Sequence, residues 1–312
     1  MRYPTRFNRR QFIQTTATAA SAAALSSSSL AAEAKQGWID AHVHVWTPEV
    51  NKYPIADGFT VADMKPPSFT PEQLFQHTQP VGVDRIVLIQ MSFYRFDNQY
   101  MLDVMSAHPG VFSGVGIVDH QAPHVADKMK DLAKQGVRGF RIHAQGDAAK
   151  SWVSDDGMAK VWKTAGQENL AVCPLINPTD LPYIDSLCQR FPGTRVVVDH
   201  FARIGISGQI DGDQLDGLCR LARFPNTHVK TSAFYALGKK RPPYDDLYPM
   251  IRRVCDAFGP PRLMWASDCP YQVQGDHTYP ASIALIRDRI DFLSQDDRDW
   301  ILRGTAEKLF FA

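Results

Sequence analysis

The chain has no apolar run long enough to span a bilayer, no block of like charge, and only five cysteines, none in CxxC spacing. Each absence excludes a class. A spanning helix needs about 20 consecutive apolar residues, and the Ala-rich segment 15–30 is broken by Thr and Ser. With 34 Lys+Arg against 33 Asp+Glu and no basic stripe, nothing marks a nucleic-acid or charged-membrane partner. An odd, scattered set of cysteines forms neither a disulfide framework nor a zinc knuckle, so Cys173 and Cys269 read as buried packing. The Gly-rich stretch GISGQIDGD, 205–213, lacks the Gly-Lys-Ser/Thr ending of a phosphate loop and reads as a rim loop.

What is present begins with a leader. Arg2, Arg6, Arg9 and Arg10 precede an Ala-rich stretch and Ala32-Glu33-Ala34, a small-x-small cleavage pattern. The Arg9-Arg10 pair predicts a twin-arginine-type export signal over 1–34 and a periplasmic location. Residues 35–312 then match the roughly 250 of one α/β barrel.

Within that span, eight short apolar runs at 38–45, 85–91, 112–118, 137–143, 171–176, 195–201, 227–233 and 262–268 alternate with helical stretches. Regular β/α alternation implies a parallel sheet, and eight nearly continuous apolar strands imply a closed (β/α)8 TIM barrel rather than an open doubly wound sheet. A further helix near 296–310 is expected across the outside of the barrel. Longer connections follow the strand C-terminal ends, the rim on which such barrels build their sites.

GWIDAHVHVW, 37–46, places two histidines one residue apart in a strand-like run. Period-two alternation points His42 and His44 the same way, with Asp40 below them. By the same alternation His200 continues the row of Val196 and Val198, and Asp268 that of Met264 and Ala266. Four polar groups at strand tips facing an interior cost several kcal/mol unless paired or bound to a metal. Three imidazoles and a carboxylate suit one divalent ion, zinc first and manganese second, with a position left for water. Inward cations accompany them: Arg141 beside His143, Arg203 after His200, and Lys230 on the seventh strand. These read as donors for a substrate carboxylate or sulfonate, with Tyr271 as a ring contact from a rim loop.

The stretches WIDAHVHVW, RGFRIHAQ, VVVDHFAR, RLMWASDCPY and RGTAEKLFF resemble the amidohydrolase-related (amidohydrolase 2) family of the amidohydrolase superfamily, in its lactonase-like branch. The resemblance implies that His42 and His44 are the first-strand metal pair, His200 the sixth-strand ligand, and Asp268 a ligand or general base. The fifth strand reads Val172-Cys173-Pro174-Leu175 and lacks the histidine of many metal-dependent members. No lysine ends the fourth strand to bridge two ions, so the expected centre is mononuclear, with His143 a candidate for the missing place. A metal-independent route stays open, because some lactonases of this branch need no metal. The expected activity is opening of an anionic lactone of the muconolactone, sulfolactone or pyrone-dicarboxylate type by a water that Asp268 activates, with His200 also in the catalytic set. A decarboxylase of an aromatic or muconate-type acid is the alternative. The expected partner is a small anionic substrate, and the reading allows a homodimer.

Overall fold

In a computed structural model, residues 37–144 and 146–312 are described; the leader expected over 1–34 lies outside them. Eight parallel strands form one sheet in sequence order: β1 Trp38–Val43, β2 Val83–Ile89, β3 Phe112–Gly116, β4 Val137–His143, β5 Ala171–Leu175, β6 Arg195–Val198, β7 Thr227–Ser232 and β8 Leu263–Ala266. Asp268 N donates to His42 O at 2.9 Å and His44 N to Cys269 O at 2.8 Å, which joins β8 back to β1. The barrel therefore closes through the segments that carry the candidate site. Among the described residues no helix is long and apolar enough to cross a membrane.

The helices start where the sequence offers caps. Thr70 accepts from Gln73 N ahead of Pro71, and Asp211 accepts from Gln214 N at 2.9 Å, each satisfying a backbone donor that the first helical turn leaves free. Their apolar faces pack on the outward residues of the strands, Val196, Val198, Ile86 and Leu88 among them. A separate cluster, including Val87, Ile89, Val115, Cys173, Val197, Met264 and Ala266, fills the interior.

Three sequence expectations are corrected. Val197, not Val196 or Val198, faces inward: His200, from which the inward row was assigned, lies past the end of β6 in a left-handed turn and not in register with the strand. Asp40 is not below the two histidines. A register irregularity between Asp40 and Val43 breaks the alternation, so Asp40 takes Tyr279 Oη–H at 2.7 Å and Ser267 N–H at 2.9 Å on the other side of the strand. The stretch 296–310 lies outside only in its first half, where Ile301 and Leu302 pack with the outer layer. Ala306, Leu309 and Phe310, on the helix Thr305–Phe310, belong to the interior cluster and floor the barrel.

His228, on β7, donates Nδ1–H to Asn226 O at 3.1 Å, and burial pushes its imidazole down to about 4. The unfolded chain binds this proton more readily than the folded one. Stability is therefore full above pH ~6.5 and falls as pH drops toward ~4, by about 3 kcal/mol from this group. Denaturant unfolding between pH 7 and 4 should show that loss, and His228→Phe should flatten it; an unchanged slope in the variant removes His228 as its source.

Candidate active site

The donor atoms converge because two residues leave ordinary strand geometry. Asp268 lies at φ 64° just past β8, and His200, Phe201, Ala202 and Arg203 form a left-handed turn with φ of 51–60° just past β6. Asp and His tolerate this region better than most residues. The turn, not strand alternation, delivers His200.

His42 Nε2, His44 Nε2 and Asp268 Oδ1 form a triangle with edges of 3.2, 3.4 and 3.5 Å. A tetrahedral ion with bonds of about 2.0–2.1 Å holds neighbouring donors about 3.3–3.4 Å apart. His200 Nε2 stands 3.7 Å from Asp268 Oδ2, and His42, His200 and Asp268 each offer a ligand atom within 4.8 Å of the others. The outer nitrogens fix the tautomers. His44 Nδ1 is 2.8 Å from Ile89 O, which can only accept. His200 Nδ1 donates to Ser232 Oγ at 2.8 Å, whose own hydroxyl donates to Lys230 O. Both leave an Nε2 lone pair turned inward. Burial holds His200 down to about 4 and His42 well below the usual imidazole range, so both are neutral at pH 7. Burial alone would raise Asp268, but His200, His44 and His42 outweigh it and hold the carboxyl below the usual range. Three Nε2 atoms and a carboxylate gathered at this spacing make a donor set that fits a divalent ion.

Sequence reasoning missed two further parts. Asp199, fully buried on the inward row after Val197, has Oδ1 3.0 Å from Lys230 Nζ and 3.4 Å from His42 Nδ1. Burial would raise its pKa; Lys230, His42 and Arg141 hold it well below the carboxylate range. Lys230 Nζ, an ammonium that can only donate, is 3.1 Å from the same Nδ1, so Nδ1 accepts from Lys230 in this arrangement; a cation on Nε2 would shift the proton to Nδ1, toward Asp199. Tyr235, in the loop after β7, donates its hydroxyl to Asp268 Oδ2 at 2.7 Å. Burial and the Asp268 charge raise its pKa, so it stays a donor.

The site opens into a cavity of about 440 Å³ whose wall includes His44, His200 and Asp268 together with Arg141, His143, Arg203 and Tyr271. Arg141 Nε is 3.7 Å from Asp199 Oδ2, and both atoms lack a hydrogen-bond partner among the described residues. His143, pushed down to about 4 by burial and then by Arg141, lies on this wall and outside the ligand group. Arg203 is half-buried, with Nη1 3.4 Å from Asn177 Oδ1. Lys230 is the exception. It is fully buried beneath His42, 5.9 Å from the Phe310 ring, and does not line the cavity. Its partner is Asp199 rather than a substrate, because the seventh strand aims it down the barrel axis instead of at the rim.

The chain is 31% identical over 276 residues to the L-fucono-1,5-lactonase of Burkholderia ambifaria, covering 86% of this chain and 93% of that protein. It is 25% identical over 276 residues to the 4-sulfomuconolactone hydrolase of Hydrogenophaga intermedia, covering 87% and 88%. Among solved structures, an amidohydrolase of Burkholderia multivorans with bound zinc superposes with a TM-score of 0.73 at 21% identity, covering 88% of this chain and 99% of that one. The family model described as Amidohydrolase matches residues 39–312, across every strand and every residue of the site, and the chain belongs to the amidohydrolase family.

Proposed function

We propose that this protein is a lactonase that opens an anionic lactone with the help of one divalent ion, zinc before manganese. The triangle of His42 Nε2, His44 Nε2 and Asp268 Oδ1, with edges of 3.2–3.5 Å, carries the reading. His200 completes the donor set, and three imidazole nitrogens with one carboxylate favour zinc over harder ions. When bound, such an ion supplies Lewis acidity for the carbonyl and for the attacking water.

The chain's own residues do the rest. Asp268, ionised at neutral pH, accepts the proton of the attacking water as its oxygen bonds to the lactone carbonyl carbon. The ring C–O bond then breaks, and Asp268 returns the proton to the leaving oxygen. Lactone and water become one hydroxy acid. The Tyr235 hydroxyl holds Oδ2 throughout, so the carboxylate keeps one orientation. Arg141, on the cavity wall, binds the substrate's anionic group, and Arg203 adds positive charge on the same wall. The Arg9-Arg10 leader, in this reading, sends the enzyme to the periplasm by the twin-arginine route.

The expected result is acid release from an anionic lactone, followed with a pH indicator, falling at least about 100-fold after chelation and restored by Zn²⁺. A zinc-loaded enzyme that leaves a panel of muconolactones, sulfolactones and pyrone dicarboxylates intact overturns the reading. Release of carbon dioxide without acid would replace it with a decarboxylase.

A further inference from the structure

A second cavity, of about 320 Å³, lies beside the catalytic one, and the two share Ser92, Arg141 and His143 as a common wall. Apart from Arg95 and His120 the rest of its lining is apolar, with Phe59, Phe96, Ile117, Phe140, Trp152 and Met158 among it. Two exposed side chains mark both chambers. Among the described residues the large apolar groups left in solvent are Val61, Phe96 and Ile206. Phe96 lines the second cavity and Ile206 the catalytic one. Uncovered apolar groups of this size at cavity walls mark surface that a ligand covers. The Arg95 guanidinium, 5.7 Å from the Phe59 ring, sits on the same wall.

Size and chemistry narrow the occupant. An apolar cavity of about 150 Å³ takes a benzene ring, so this one has room for a ring and its linker. Sugar hydroxyls placed there would lose their water and find few partners, a cost that apolar atoms do not incur.

We infer that this second cavity takes an aromatic or branched apolar arm of the ligand whose anionic group is held at Arg141. The substrate of this site is then an anionic lactone with an apolar substituent rather than a polyhydroxylated one. The word lactone in that statement rests on the proposed function; the seating of the arm does not.

Binding of 4-phenylbutyrate and of butyrate, measured by calorimetry on the intact protein, tests it without turnover. Burying the ring should make phenylbutyrate about thirtyfold tighter than butyrate. Ile117→Trp, which fills the cavity from a half-buried position, should cut that ratio below threefold while the melting temperature holds. Val118→Phe on the same wall repeats the test if the first variant does not fold. A wild-type ratio under threefold, or a ratio that both folded variants leave intact, overturns the inference. The two readings fail separately. Ring selectivity without lactone cleavage removes the lactonase and keeps the arm's seat, whereas cleavage without ring selectivity does the reverse.

Discussion

Asp268→Asn should lower kcat by about a thousandfold or more while the protein melts within a few degrees of the wild type. The amide has no carboxylate to receive a proton, so water loses its base. The fold should survive for three local reasons. Asparagine tolerates the left-handed backbone at φ 64° as well as aspartate does. Its oxygen can still accept from Tyr235, 2.7 Å away in the native protein. Without a bound ion, its NH₂ can donate to His44 Nε2, 3.4 Å from the native Oδ1. Initial rates on a cleaved lactone and a thermal melt give both quantities. A kcat within tenfold of wild type would remove Asp268 from the proton-transfer step.

Lys230→Met should destabilise the fold by about 3–5 kcal/mol, because it strands the Asp199 carboxylate in a dry interior. Both side chains are fully buried and 3.0 Å apart. Adding Asp199→Asn removes the stranded charge, and the double variant should recover most of the loss. Shifts in the urea midpoint read all three proteins. The pair also faces His42 Nδ1, at 3.1 and 3.4 Å, so the double variant should bind Zn²⁺ about 10–100-fold more weakly despite its recovered stability. A single variant within 1 kcal/mol of wild type would show that water or a neighbour relieves Asp199 without Lys230.

The barrel was legible because eight apolar runs and their intervening helices follow periodicities that do not depend on tertiary contacts. A helix follows every strand, from Pro71–Thr78 after β1 to Tyr279–Ala284 after β8. The gathering of His42, His44, His200 and Asp268 was also legible, although His200 arrives by a route other than strand alternation. Alternation assumed that β6 continues through His200, whereas the chain leaves the strand at Val198 and enters a left-handed turn. Backbone handedness of that kind leaves no periodic trace when no glycine marks it. The irregularity in β1 had the same effect on Asp40. Asp199 escaped notice because an acid beside a histidine reads as a cap or a surface charge. Its importance comes from Lys230, far along the chain on β7. Lys230 read as a substrate contact because period two gives a residue's face and not its depth. The final helix looked peripheral since its apolar residues fit either a groove between helices or the barrel's open end.

That final helix has a consequence for the order of events on the ribosome. Ala306, Leu309 and Phe310 are made roughly 40 residues after β8, a delay of about 2–8 s at ordinary translation speed. Until those residues are in place the lower end of the barrel lacks its floor, and solvent has a path to the lysine–aspartate couple from below. The dry setting that gives this couple its strength, and so the stiff backing of the first imidazole, arrives only with the last turns of the chain.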